Sequence, residues 1–158
     1  MTFFKLAGVF LVLASGGALA ARQVRRERRR VEQLAGFVAL VRYVKLQIDC
    51  FSLPVPQILL RCDRSILSAC GITGEITDFE GALRAADLAV PPSAERLLFE
   101  FGAALGGSYR AEQLRLCEHY LGRLQPMLDT LRAEAGKRER MAWLLPMALS
   151  VSLLLLFW

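Results

Sequence analysis

The side chains best equipped for chemistry in this chain are one histidine, four cysteines and two close pairs of carboxylates. His119 lies two residues from Cys117, and a thiol beside an imidazole is the minimum for nucleophilic catalysis. On a helix, however, positions i and i+2 point about 200° apart, so the two cannot act on each other. His119 therefore reads as a surface or partly buried helix residue. Asp78 with Glu80, and Glu95 with Glu100, could serve in general acid–base work, but capping and solvated helix faces account for them more simply. Cys50, Cys62, Cys70 and Cys117 show neither a C-x-x-C pair nor a zinc-ligand spacing. Reduced, mostly packed thiols are expected, with two disulfides as the alternative if this part of the chain is exported. Gly102 to Gly107 is glycine-rich but lacks the Lys-Ser/Thr sequel of a phosphate loop. No catalytic, metal-ligating or cofactor-binding residue is expected; the competing reading is a small membrane-anchored enzyme or regulator using Cys117 or His119.

The elements that carry these residues follow from composition and charge. At 158 residues, 54% hydrophobic and a mean hydropathy of +0.38, the chain is too apolar for disorder and short enough for one domain. Its apolar content is concentrated at the ends, in Phe3 to Ala21 and Met141 to Trp158. Each stretch is roughly 18–19 residues, or about 27–28 Å as a helix, which is enough to cross a bilayer core. The formal charge of +5 is also uneven: Arg22 to Arg30 carries +5, residues 137–140 carry +2, Lys5 carries +1, and residues 31–136 carry −3. A pI near 9.4 would suggest nucleic acid if the cations formed a patch on the folded domain, but here they flank apolar stretches, so no nucleic-acid partner is expected.

Excess Lys and Arg beside a span marks its cytoplasmic end. Arg22, Arg25, Arg26, Arg28, Arg29 and Arg30 follow the first stretch, and Lys137, Arg138 and Arg140 precede the second. The expected organisation is a membrane hairpin: an N-terminal transmembrane helix over 1–21, a cytosolic domain over 22–140 and a C-terminal transmembrane helix over 141–158, with both termini outside. Trp143 and Trp158 fall near opposite ends of the second span, where indoles favour the interface, and Pro146 is tolerable in its first turns. Membrane lipids are expected partners of the basic flanks, at about 1 kcal/mol per basic residue near an anionic surface. Gly8, Ser15, Gly16 and Gly17 offer the first span a small-residue face for close helix packing. Lys5, the apolar run and Ala18-Leu19-Ala20 also fit a cleaved signal peptide and hence an exported helical protein. The arginine block after the would-be cleavage point resists translocation, which favours an uncleaved anchor.

The middle of the chain reads as all-helical. Leu34, Phe37, Val38, Val41, Val44 and Ile48 share one face of a helix running on from the first span. Pro54 and Pro56 interrupt it, and Gln57 to Cys70 predicts a second helix ended by Gly71 and Gly74. Thr77 to Glu80 fits a capping box opening a short helix to about Ala89. Pro91-Pro92-Ser93 opens another, whose apolar face of Leu97, Leu98, Phe101, Ala104 and Leu105 ends at Gly106-Gly107. Leu114, Cys117, Leu121, Leu124, Leu128, Leu131 and Ala135 then recur at 3,4 spacing, a coiled-coil-like seam over about three heptads. Packing of that seam against the Val31 to Ile48 helix is the first expectation and packing between chains the second. Pro126 predicts a kink, and Ser108 is placed to cap the long helix.

With the residues set out in this way, Leu46-Gln47-Ile48 followed by Leu53-Pro54, and Phe101 to Ser108 followed by Glu112-Gln113, resemble stage III sporulation protein AB of endospore-forming bacteria. The likeness runs over nearly the whole length and includes the turn residues Pro54, Gly102, Leu105, Gly106, Ser108 and Gln113. The chain departs from the family pattern at Leu53, where the family tends to have Thr, and at Tyr109, where it has an acidic residue. The resemblance implies a non-catalytic component of the channel complex that joins mother cell and forespore, seated in the mother-cell membrane around the forespore. That family is itself similar to the inner-membrane platform protein of type II secretion and type IV pilus systems. The implied partners are the other subunits of the sporulation channel complex, including a cytosolic secretion-type ATPase. The turns at Gly71 to Thr77 and Pro91 to Ser93 are the expected docking surface.

Overall fold

The computed structural model describes the backbone of residues 2–51, 53–73 and 78–157, and the side chains of residues 21–51, 53–73 and 78–141 with Leu144, Ala148 and Ser152. The chain is all-α. Its helices are α1 (Thr2–Phe51), α2 (Val55–Leu60), α3 (Arg64–Cys70), α4 (Phe79–Ala85), α5 (Pro92–Ala104) and α6 (Arg110–Phe157). The first apolar stretch and the helix after it are thus one continuous element, as expected. Among the described residues no helix is long and apolar enough to cross a membrane. Most side chains of the two stretches expected to span, including the small-residue face of the first, lie outside the described residues.

The chain divides into two compact units, Arg29–Leu131 and a second made of Met1–Arg28 with Arg132–Trp158. The first has a single hydrophobic core. α1 contributes Leu34, Phe37, Val38, Val41, Val44 and Ile48, all fully or nearly buried, together with Leu40, which lies beside the expected stripe. α5 adds Leu97, Leu98 and Phe101, and α6 adds Cys117, Tyr120, Leu124 and Leu128. The rings of Phe79, Phe101 and Tyr120 meet edge to face at 5.5 and 5.4 Å, which locks α4, α5 and α6 together. The heptad seam faces this core: Leu114, Leu121 and Leu131 are half-buried against it. Lys45 to Glu118 and Arg42 to Gln125 border the same α1–α6 contact at 2.8 and 2.7 Å. From Leu114 to Leu131 the seam therefore packs within its own unit. α6 stays helical through Pro126, whose carbonyl accepts the Thr130 hydroxyl at 2.9 Å.

Three boundaries correct the sequence reading. The stretch from Gln57 to Cys70 is two helices: α2 ends at Leu60 with Arg61 as its C-cap, and Asp63 caps α3, its side chain accepting the Ser65 N–H at 2.9 Å. Ile58, Leu59, Cys62 and Cys70 keep a helical spacing across the break because both short helices bury into one core. The cap of α4 is Asp78, which accepts from the Gly81 N–H at 3.2 Å; Thr77, expected to cap, lies outside the described residues. α4 also ends at Ala85 rather than about Ala89. Gly71 closes α3 as expected, at φ +79° in the left-handed region that favours glycine.

One buried amide, with no counterpart in the sequence reading, ties these pieces together. Gln33, only 3% exposed, donates to the carbonyls of Cys70 (2.8 Å) and Asp87 (3.0 Å) and accepts from the Ala89 N–H (2.6 Å). A single side chain of α1 thus satisfies the end of α3 and the link between α4 and α5. At the other end of α1, Arg110 donates to the carbonyl and the carboxylate of Asp49. α1 carries no basic residue in its own last turn, so this first residue of α6 supplies the cation that its terminal carbonyls favour.

Candidate functional site

The unit made of Met1–Arg28 and Arg132–Trp158 contains most of the expected basic flanks. The helical spacing puts Arg22, Arg25 and Arg26 on one face of α1, and Lys137 and Arg140 one turn apart on α6. Between these groups, Glu27 and Arg28 of α1 engage Arg138 and Glu139 of α6. Arg138 donates to Glu27 at 2.7 Å, and Arg28 donates to Glu139. Glu27 is one of only two buried polar residues among those described, the other being Gln33. A carboxylate so placed requires a cationic partner, and Arg138 provides one while remaining half open to solvent. The two clasps fix the level at which the basic run after the first apolar stretch meets the basic run before the second.

The nine basic residues are consequently not equivalent. Arg28 and Arg138 serve the clasps. Arg29 and Arg30 belong to the other unit, where Arg29 pairs with Asp87 at 2.8 Å. Arg22, Arg25, Arg26, Lys137 and Arg140 are exposed, and among the described residues none of these five has an ion pair. Their charges are directed to solvent or to whatever lies beside the ends of the apolar stretches.

Within Arg29–Leu131 the fold brings the two groups of turn residues into one place. Pro54 opens α2, its carbonyl accepting the N–H groups of Gln57 (2.9 Å) and Ile58 (3.2 Å). Leu105 closes α5, and Gly106 follows at φ +94°, where a Cβ would stand 3.7 Å from the Val55 side chain. Gly102 allows the close approach of α5 to α4, since a Cβ there would be 2.8 Å from the Phe79 ring. Together Val55, Leu59, Phe79, Gly102, Leu105 and Gly106 line a hollow of about 210 Å³. Ser108 takes part through its backbone: its carbonyl accepts the Gln113 side-chain amide at 2.8 Å, while the Tyr109 carbonyl accepts the N–H groups of Glu112 and Gln113. The N-cap position is therefore Tyr109, one residue beyond the serine expected there, because α6 begins only at Arg110.

A second, more open groove of about 640 Å³ runs between α1 and α3, floored by small side chains such as Ala35, Gly36, Ser65 and Ala69. Of the expected docking turns, Pro92 and Ser93 are exposed at the start of α5 and Thr73 is exposed after α3; residues 74–77 lie outside the described residues.

The candidate nucleophile does not gain a base. Cys117 is fully buried and His119 exposed, its ring set against Tyr120 at 5.4 Å. Burial pushes the Cys117 thiol up to about 11 and the Cys70 thiol up to about 12, the opposite of what a thiolate nucleophile requires. Cys62 is raised by the same cause, and Cys50 is the exposed thiol of the four. Among the described residues no cluster of His, Cys, Asp and Glu could hold a metal ion. On the surface, the Lys45 hydrogen bond holds the Glu118 carboxyl below its ordinary value and raises Lys45 in turn.

Fold and surface together define an all-helical protein with one cored unit and a basic, clasped unit built from both ends of the chain. No protein-family model, curated protein or solved structure matches it.

Proposed function

We propose that this chain is a membrane-anchored adaptor: its two apolar ends span the bilayer as a hairpin and its helical domain assembles partners on the cytosolic face. The observation that carries this reading is the pair of clasps, Glu27 with Arg138 and Arg28 with Glu139. They join the basic junction that follows the first apolar stretch to the one that precedes the second, so one membrane surface would serve both. The resemblance to the stage III sporulation protein AB family supplies the setting. In that setting the protein sits in the mother-cell membrane around the forespore and holds a secretion-type ATPase against the other channel subunits, without catalysis of its own. Cys50 gives the test a handle, being exposed while the other three thiols are buried. A membrane-impermeant maleimide is expected to label it in sporulating cells only after permeabilisation, and affinity-tagged chain is expected to retain the operon's ATPase. Labelling of intact cells would favour the exported reading instead.

A further inference from the structure

We propose that Arg22, Arg25, Arg26, Lys137 and Arg140 form a collar that binds the phosphate headgroups of anionic phospholipids, whereas Arg28 and Arg138 are structural. This rests on the two-span reading above. The sequence alone makes all the junction cations interchangeable topology signals; the structure divides them. Glu27 and Glu139, the acidic residues within 22–28 and 137–140, are both taken by clasp arginines. The two carboxylates are thereby withdrawn from the five exposed cations, none of which has an ion pair among the described residues.

The clasps also set the geometry. They hold residues 27–28 of α1 level with 138–139 of α6, so Arg25 and Arg26 on one helix and Lys137 and Arg140 on the other lie within a turn of the same point. Arg22 lies one further turn toward the first apolar stretch, which ends at Ala21, and Arg140 immediately precedes the second, which begins at Met141. Guanidinium groups bind phosphate oxygens through paired N–H donors, and lysine binds them as a point charge. Nucleic acid presents the same phosphates, but those next to the apolar ends of this chain are the bilayer's own, which favours lipid.

The test uses the full chain in nanodiscs, where both bilayer faces are open and orientation does not matter. With Trp158→Phe, Trp143 becomes the sole tryptophan and lies close to Arg140 in sequence. Energy transfer from Trp143 to dansyl-phosphatidylglycerol is expected to exceed transfer to dansyl-phosphatidylcholine about threefold at equal mole fraction and low salt, and to fall toward parity at high salt. Replacing the five cations by Gln should bring it to parity at all salt concentrations, whereas the charge-neutral Glu27→Gln/Arg138→Gln variant should keep the preference. Salt dependence in the unmodified collar gives a readout even if the fivefold variant folds poorly. Equal transfer to both lipids, a preference that depends on the clasp and not on the collar, or tighter binding to an oligonucleotide than to anionic lipid would each overturn the proposal. A chain that fails to enter nanodiscs sinks the two-span reading and the collar with it; insertion without headgroup preference sinks the collar alone.

Discussion

Gln33 holds three backbone groups from two separate segments, and among the described residues it is the only buried side-chain amide. Gln33→Leu keeps the volume but leaves the Ala89 N–H and the carbonyls of Cys70 and Asp87 without that partner. It is expected to cost about 2–3 kcal/mol in chemical denaturation of the purified protein. The cysteines make a second residue-scale prediction. Native protein should react with one equivalent of a maleimide quickly, through Cys50, and with the remaining three only on unfolding. The buried thiols also fix a sign for pH. Cys70 and Cys117 ionise at about 12 and about 11 when folded, against about 9.0 when unfolded, so folding favours their protonated forms. That stability is fully present below about pH 9 and is lost as pH rises through the folded values. Melting temperature should fall across this alkaline range, and less so in a Cys70→Ala variant compared with its own value at pH 7.

At the scale of elements, two helical glycines should respond to the same substitution with opposite signs. A Cβ on Gly36 of α1 would lie 2.9 Å from the backbone carbon of Ala69 and 3.0 Å from the Cys70 nitrogen, so α3 would have to move. Gly36→Ala is expected to cost about 1–3 kcal/mol despite its better helix propensity. Around Gly122 of α6 there is open space, and Gly122→Ala should stabilise by about 0.5–1 kcal/mol; parallel urea titrations would separate the two. Gly36 shows why part of the fold escaped the sequence. Periodicity exposed the α1 stripe from Leu34 to Ile48 and the seam of α6, since a core-facing helix repeats its apolar residues whatever it packs against. It could not reveal that Gly36 is where a neighbouring backbone comes close, because that depends on the partner. The break at Asp63 was hidden for a related reason: α2 and α3 bury into one core, so the spacing carries across it. Asp63 caps α3 through the Ser65 N–H, a role that the apolar spacing does not mark. Gln33 was invisible because polar residues in a helix give no sign of which will be buried. At the junctions the cations were legible by type and position, while their division into clasped and exposed residues required the partner helix.

For the whole molecule, the inward-facing seam has a direct implication. Cys117, Leu124 and Leu128 are consumed by the core of Arg29–Leu131, and Tyr120 joins them. This unit has its own closed core, so a fragment over residues 29–131 is expected to fold cooperatively and to sediment as a monomer. A stable dimer of that fragment would show instead that apolar surface on α6 remains available between chains. If the fragment is monomeric, any oligomer of the full-length protein must draw on residues outside 29–131.

The partners of Gln33 also determine where the chain can change length. Cys70 lies at the end of α3, and Asp87 and Ala89 follow α4, so the stretch between α3 and α4 can gain a residue without altering the identity of those partners or the spacing of Asp87 and Ala89. A residue inserted between Asp87 and Ala89 would carry one partner beyond the reach of the amide while the other stayed. Insertions and deletions should therefore be tolerated before α4 and rejected after it, so that one side chain on α1 acts as a ruler for a segment more than fifty positions downstream.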